Sequence, residues 1–308
     1  MRAAVIKERG AAPEVCNFES PRPQDGAVLI DVVTAGLGGW DVLGAYRLGV
    51  EYPCVVRGEG VGRTADGRRV YFGERSVTPF GAWAERTLVP EAEVWDVPEH
   101  VDDRLAITMG IAGTGAFVPL EQARVQKGES VLILGATGTL GQLALQFARL
   151  MGAGRVVGAA RSESALARLR ERGLADDVVR LGAADDAAAL KAAAGAGFDV
   201  VLDLVCGAPL VAALKATCWG ARIMTVGIAA GRSIDLHMPD LLFRTLTCVG
   251  TGQRPPAERR ATWETLLVLA KDQRVVVDHL DYTLEQAAQA WAAQSSGPHA
   301  KIFASIER

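Results

Sequence analysis

Little in this 308-residue sequence could hold a metal or staple a fold. Histidine occurs only at His100, His237, His279 and His299, and no HExxH is present, so metal hydrolysis has no ligand pattern to start from. The five cysteines, at positions 16, 54, 206, 218 and 248, are scattered and form no CxxC. An odd, unclustered set argues against a disulfide scaffold or a cysteine zinc site and for reduced thiols in a cytoplasm. A strong charge of one sign is also lacking. With 33 Lys+Arg against 36 Asp+Glu, the formal net charge of −3 gives no reason to expect nucleic acid or an anionic membrane as partner. No apolar run approaches the roughly 18 residues of a membrane helix. The opening MRAAVIKERG reaches Lys7, Glu8 and Arg9 before a signal-peptide core could form. What is present is a 49% hydrophobic chain, able to bury a full core, whose length suggests two domains at roughly 100–200 residues each.

The chain changes character near residue 105. Before it, short strand-like runs (27–36, 68–72, 83–90) alternate with Gly/Pro/Asp turns at 65–67 and 78–81, which reads as a small, mainly β domain. After it, buried strands alternate with helices. The strand 130–135 leads into the helix 139–152, whose apolar positions 140, 143, 144, 147, 150 and 151 share one face. Strand 155–160, helix 162–173, strand 178–181, helix 185–194, strand 198–205, helix 209–217 and strands 221–227 and 246–251 continue the rhythm. Such strands with helical crossovers imply a doubly wound parallel sheet, an α/β fold. The tail reverts: a helix at 263–270, an extended stretch, a helix capped by Thr283 and a last strand at 301–306 do not extend that sheet, which points to their returning to the β domain.

The sharpest motif is V131-L-I-L-G-A-T-G-T-L-G141. A buried strand runs into glycines at 135, 138 and 141, and a helix starts at once. Small residues allow the tight turn and the close approach of backbone to a pyrophosphate seated on the helix N-terminus. Ala136 occupies the first position of the strict G-x-G-x-x-G register, so the motif is a variant. Gly135, Ala136, Thr137, Gly138, Thr139, Leu140 and Gly141 are therefore candidate dinucleotide contacts. At the end of the second strand, where NAD sites place an acid for the ribose 2′-hydroxyl, the sequence has Ala159, Ala160, Arg161 and Ser162. Arg161 offers a charged fork and Ser162 a donor for a 2′-phosphate, which makes NADPH the expected cofactor. Strand C-termini flank the ligand in such sheets, so Val205 and the backbone of Val226, Gly227 and Ile228 are expected beside the nicotinamide half. Asp203 reads equally as a turn residue and as a ligand contact.

Together these pieces resemble the zinc-independent quinone oxidoreductases (the zeta-crystallin-like group) of the medium-chain dehydrogenase/reductase superfamily. The resemblance is carried by P13-E-V15, VLIDVVTAG, D41 with G44-A-Y46, R57-G-E-G-V-G62, G67-R-R-V-Y71, G81-A-W-A-E85, A112-G-T-G-A-F117, GATGTLG, Y282-T-L-E-Q-A-A288 and K301-I-F303, in order along nearly the whole chain. It implies a GroES-like β domain at 1–105, completed by 265–308, and a Rossmann NADP-binding domain at 106–264. It also adds Lys301 to the cofactor side and implies a homodimer, for which the apolar strand LTCVGT could pair across a two-fold axis. The superfamily's zinc branch uses a Cys, a His and a second Cys as catalytic ligands. The corresponding places here hold Gly38 or Gly39, Gly58 and Met109, none of them able to ligate zinc as those residues do, so no metal is expected. The chain departs from the group at Gly38, where Asn is typical, and in its short stretch between Asp41 and Tyr46. Both changes fall in the substrate pocket.

The resemblance implies hydride transfer from NADPH to a quinone or to the β-carbon of an α,β-unsaturated carbonyl, both small molecules. Charge then spreads to an oxygen that needs a donor. Tyr46 and Thr114 are the candidate donors, read alternatively as a packed aromatic and a helix cap. Trp40, Asp41 and Met109 are expected at the substrate pocket, and Arg57 and Glu59 read as a surface ion pair. Three other readings stay open. One is a biosynthetic enoyl reductase of the same fold, and another is a nucleotide-binding protein without turnover. A short-chain reductase is opposed by the roughly 130 residues before the motif, unlike that class's N-terminal position, and by the missing Y-x-x-x-K.

Overall fold

The structure, a computed structural model, describes residues 1–44, 46 and 49–307. The chain forms two compact units. The first comprises Met1–Ala112, Pro255–Arg274 and Asp278–Arg308, and the second Gly113–Arg254 and Val275–Val277.

In the first unit, strands β1 (Arg2–Ile6), β2 (Glu14–Asn17) and β4 (Cys54–Val55) form a small sheet in the order β2-β1-β4. A larger sheet is built on β3 (Ala27–Leu37), β5 (Glu59–Thr64), β6 (Arg69–Phe72), β7 (Arg86–Pro90) and β8 (Val94–Asp96), and the C-terminal β15 (His279–Thr283) and β16 (Lys301–Ser305) join it. Its order is β15-β16-β3-β5-β6-β8, with β7 also on β3. The tail joins because its alternation matches. Ile302 and Ala304 point into the same core as Ile30, Val32 and Ala35, together with Leu284, Ala287 and Ala290 from the helical segment before it. The Ile, Val and Leu side chains among them each contribute roughly 1.5–3 kcal/mol when fully buried.

The boundaries differ from the expected 105/106 and 264/265: residues 106–112 and 255–264 lie in the first unit. Helix α8 (Pro256–Asp272) explains the second shift. Its Trp263 is fully buried, stacks on Tyr71 at 5.2 Å and 19°, and lies 5.5 Å from Trp95. The Trp263 indole N–H donates to the Ala106 carbonyl at 2.9 Å, which ties α2 (Asp103–Thr108) to the same cluster. The helix also begins earlier than the apolar pattern at 263 shows. Pro256 lacks the N–H that a first turn leaves unused, and the turns that follow, AERR, are polar.

The second unit holds a parallel sheet of β9 (Ser130–Leu134), β10 (Arg155–Ala160), β11 (Asp177–Arg180), β12 (Phe198–Asp203), β13 (Thr217–Thr225) and β14 (Thr245–Cys248), in the order β11-β10-β9-β12-β13-β14. Helices α3 (Thr114–Ala123), α4 (Thr139–Leu150), α5 (Glu163–Glu171), α6 (Asp186–Ala194) and α7 (Gly207–Leu214) connect or cover it. The order reverses at β9, whose neighbours are β10 and β12. The ends of β9 and its neighbours are thus the switch point at which such sheets bind ligands.

Candidate functional site

The loop after β9 is shaped by close approach. Gly135 has φ +81, a conformation that favours glycine, and its N–H and that of Ala136 both donate to the Ala159 carbonyl, at 2.8 and 3.1 Å. A Cβ on Gly141 would lie 2.4 Å from the Gly135 carbonyl oxygen, so only glycine lets α4 pack this closely on the turn. Ala136 and Thr137 are buried, while the buried Gln142 donates to the Thr137 carbonyl at 3.0 Å and fixes the loop from beneath. Gly138 is the N-cap of α4 and brings no side chain to it. The first intrahelical donor is Gln142 N, to Gly138 O at 2.9 Å, which leaves the N–H groups of Thr139, Leu140 and Gly141 as the positive end of the helix. Leu140 abuts Gly115 of α3, where an added Cβ would be 3.1 Å from Leu140 Cδ2. Thr114, one residue earlier, is buried at the start of α3, whose cap is Gly113 rather than Thr114.

At the end of β10, Arg161 is exposed. Ser162 is the N-cap of α5, its hydroxyl oxygen accepting from Ala165 N at 3.3 Å. Across the switch point, Asp203 is fully buried and takes the N–H groups of Val205 (3.0 Å) and Cys206 (2.8 Å) on one carboxylate oxygen. Burial pushes its pKa up, against the pull of those two donors. This geometry gives Asp203 the turn role. Its backbone carbonyl in turn accepts from Val226 N at 2.8 Å, and a Cβ on Gly227 would sit 1.9 Å from the Leu204 carbonyl oxygen. A Cβ on Gly135 would meet Val205 Cγ1 at 2.8 Å. The structure therefore brings Gly135, Val205, Val226 and Gly227 together at the carboxyl end of the sheet, with Ile228 just beyond and partly exposed.

The first unit contains a buried polar cluster that sequence reasoning had not assembled. Glu59 is 2% exposed and accepts from Lys301 Nζ at 2.6 Å on one oxygen. Its other oxygen takes the Tyr71 hydroxyl at 2.7 Å and the Ile111 N–H at 3.0 Å. Two expectations are corrected by this geometry. Glu59 belongs to a buried pair with Lys301, not a surface pair with Arg57. Lys301, expected at the cofactor, is itself buried with its ammonium on Glu59. The turn at Met109–Gly113 frees the Ile111 N–H, because Gly110 leaves helical geometry (φ −67, ψ −111). A Cβ on Gly110 would lie 2.0 Å from the Tyr71 hydroxyl. The available signals were a lone Lys in the apolar strand KIFAS and a lone Glu between glycines.

Beside this cluster, short helix α1 (Gly39–Leu43) carries Trp40 and Asp41. Trp40 is 42% exposed. Asp41 is buried, and its two oxygens accept from Gly38 N (2.9 Å) and Gly58 N (3.2 Å), so it ties α1 to the turn before β5. Burial pushes the Asp41 carboxyl up to about 6, with the two N–H donors and the Lys301 charge opposing. Burial likewise lifts Glu74 to about 7, with the Asp41 and Glu59 charges adding to it. Tyr46 is buried in the core cluster, 5.7 Å from the Trp291 ring, and its hydroxyl oxygen accepts from Arg57 N. Burial and then the Asp41 charge hold this phenol protonated, well above its usual pKa. Met109, expected to line the substrate pocket, is 1% exposed. Gly58 needs its left-handed φ of +51, since a Cβ there would lie 2.4 Å from the Gly36 carbonyl oxygen.

A family model described as zinc-binding dehydrogenase matches residues 139–272. The quinone oxidoreductase of Rattus norvegicus is 28% identical over 327 aligned positions, covering 98% of this chain and 97% of its own. A solved quinone oxidoreductase of Pseudomonas syringae pv. Tomato DC3000 has a TM-score of 0.86 at 22% identity, over 99% of this chain and 100% of that one. A mycobacterial protein complexed with NADPH has a TM-score of 0.85 at 22% identity, again over 99% and 100%. The chain thus shares the fold of the medium-chain dehydrogenase/reductases, a Rossmann-like parallel sheet in one unit and an antiparallel-rich sheet in the other. Along nearly its whole length it is similar in sequence to a quinone oxidoreductase.

Proposed function

We propose that the chain is an NADPH-dependent oxidoreductase that reduces a quinone or an α,β-unsaturated carbonyl without a metal. The observation that carries this reading is the uncapped N-terminus of α4 at the switch point, behind a loop whose glycines admit a close backbone. Gly135, Ala136, Thr137, Gly138, Thr139, Leu140 and Gly141 would hold the pyrophosphate, Arg161 and Ser162 the 2′-phosphate, and Val205, Val226, Gly227 and Ile228 the nicotinamide half. Bound NADPH supplies hydride to one end of the conjugated acceptor.

The chain's own groups position the reactants and stabilise the oxygen that gains charge. Thr114 and Tyr46 are the hydroxyl donors we assign, Tyr46 because its phenol keeps its proton at any ordinary pH. Trp40 presents an apolar ring for a planar acceptor, and Asp41 holds α1 in place. The metal-free reading is supported by the donor set. Gly38, Gly39 and Gly58 have no ligating side chain, and both oxygens of Glu59 are already engaged. Reduced cysteines support a cytoplasmic location, and the open edge of β14 supports a homodimer.

The decisive experiment follows NADPH absorbance at 340 nm with a panel of quinones, enals and enones. Turnover that survives EDTA is expected, together with a higher kcat/KM for NADPH than for NADH. Binding without turnover on any acceptor would sink the enzyme reading. EDTA-sensitive activity restored by zinc would sink the metal-free one.

A further inference from the structure

The end of β10 has a neighbour that the nucleotide motif does not reveal. Strand β11 runs parallel to β10 with Ala159 opposite Val179 and Ala160 opposite Arg180. The Leu181 N–H donates to the Ala160 carbonyl at 2.8 Å, so the pairing holds to the last residue before Arg161. Adjacent strands lie about 4.8 Å apart, which puts Arg180 one strand spacing from the start of the Arg161–Ser162 turn. Strand alternation buries Val179 and leaves Arg180 exposed on the face toward α5. There its Nη1 lies 3.6 Å from Oε2 of Glu163, the first residue of α5, with the two side chains 68% and 81% exposed.

An ion pair this long and this exposed contributes little. It is therefore readily exchanged for a better partner. A phosphate monoester carries up to two charges and accepts both arms of a guanidinium fork, which a ribose hydroxyl cannot do. Glu163 works the other way, since a carboxylate neutralises Arg180 and accepts from a free 2′-hydroxyl.

We propose that Arg180, together with Arg161, selects the 2′-phosphorylated dinucleotide, and that Glu163 is the counter-charge that limits this selection. The proposal rests on the NADPH reading above and assigns its specificity to a residue on the neighbouring strand.

The test is calorimetric titration of the full chain with adenosine 2′,5′-bisphosphate and with 5′-AMP, with no turnover involved. Wild type is expected to bind the bisphosphate more tightly than 5′-AMP. Arg180→Ala should weaken the bisphosphate about tenfold and leave 5′-AMP unchanged, which also shows that the variant is folded. Glu163→Gln should tighten the bisphosphate about threefold. If wild type shows the preference and Arg180→Ala keeps it in full, this proposal is overturned while the NADPH reading stands. Equal weakening of both ligands in Arg180→Ala would reduce Arg180 to a structural role and overturn it as well. If wild type itself shows no preference, the NADPH reading fails and the proposal falls with it.

Discussion

Three donors converge on the carboxylate of Glu59, and one of them is the ammonium of Lys301 at 2.6 Å. With both side chains no more than 3% exposed, neither charge has water to fall back on. Removing one partner should strand the other, at a cost of about 3–5 kcal/mol. Lys301→Met should lose that amount in urea unfolding, whereas the double variant Glu59→Gln with Lys301→Met should lose clearly less than the sum of the two single changes. Strict additivity would show that the pair is not coupled. Glu74 gives a second check on the same polar region. Its folded pKa, about 7, lies above the ordinary 4.5 because burial and neighbouring acids disfavour the anion. Its contribution to stability is therefore present below about pH 4.5 and disappears as pH rises through about 7. Relative to Glu74→Gln, the wild type should lose on the order of 3 kcal/mol across that window. Melting temperatures of the two proteins that run parallel from pH 4.5 to 7 would contradict the assignment.

At the scale of elements, α4 can be separated from its proposed ligand. Gly138 has φ −74 and ψ 170, which any residue can adopt, and a Cβ there would meet nothing nearer than the Gly135 carbonyl oxygen at 3.7 Å. Gly138→Asp should therefore cap the helix and raise stability by a few tenths of a kcal/mol. The same carboxylate would stand where the pyrophosphate is placed. NADPH binding, followed by fluorescence titration, should fall by at least about tenfold; undiminished binding would move the cofactor elsewhere. This turn was legible in the sequence because strand, glycines and helix are contiguous, and each has a period or a conformational requirement of its own. So was the return of the tail, since Ile302 and Ala304 keep the strand alternation. The Glu59–Lys301 pair was not legible: its members are 242 residues apart, and neither leaves a local pattern. Nor were α1, too short to show a helical period, and the kink at Gly110, which depends on Tyr71 approaching from another strand. Ser162 is expected at the cofactor and Asp203 reads equally as turn or ligand residue; their hydrogen bonds show both serving backbone turns.

The whole molecule ends one of its sheets at β14, and that edge is not blunted. Natural edges are protected by charge, proline or covering chain. Here the adjoining surface exposes Trp219 (78%), Phe243 (69%), Met238 (63%) and Leu242 (53%). Trp219 and Phe243 stack at 5.2 Å and 28°, and the Gly220 N–H donates to the Phe243 carbonyl at 2.6 Å, so these residues form one contiguous patch. Such a patch beside an open edge fits a second copy of the chain, whose own β14 can pair antiparallel across a two-fold axis and bury both patches at once. Sedimentation at micromolar concentration should show a dimer. Replacing Trp219 and Phe243 together by Lys should give a monomer, because four buried cations would face each other across the axis. Both positions are exposed within the chain, so the variant should keep the melting behaviour of an isolated subunit and its affinity for NADPH. A wild type that sediments as a monomer, or a double variant that remains dimeric, would remove β14 and its apolar flank as the contact.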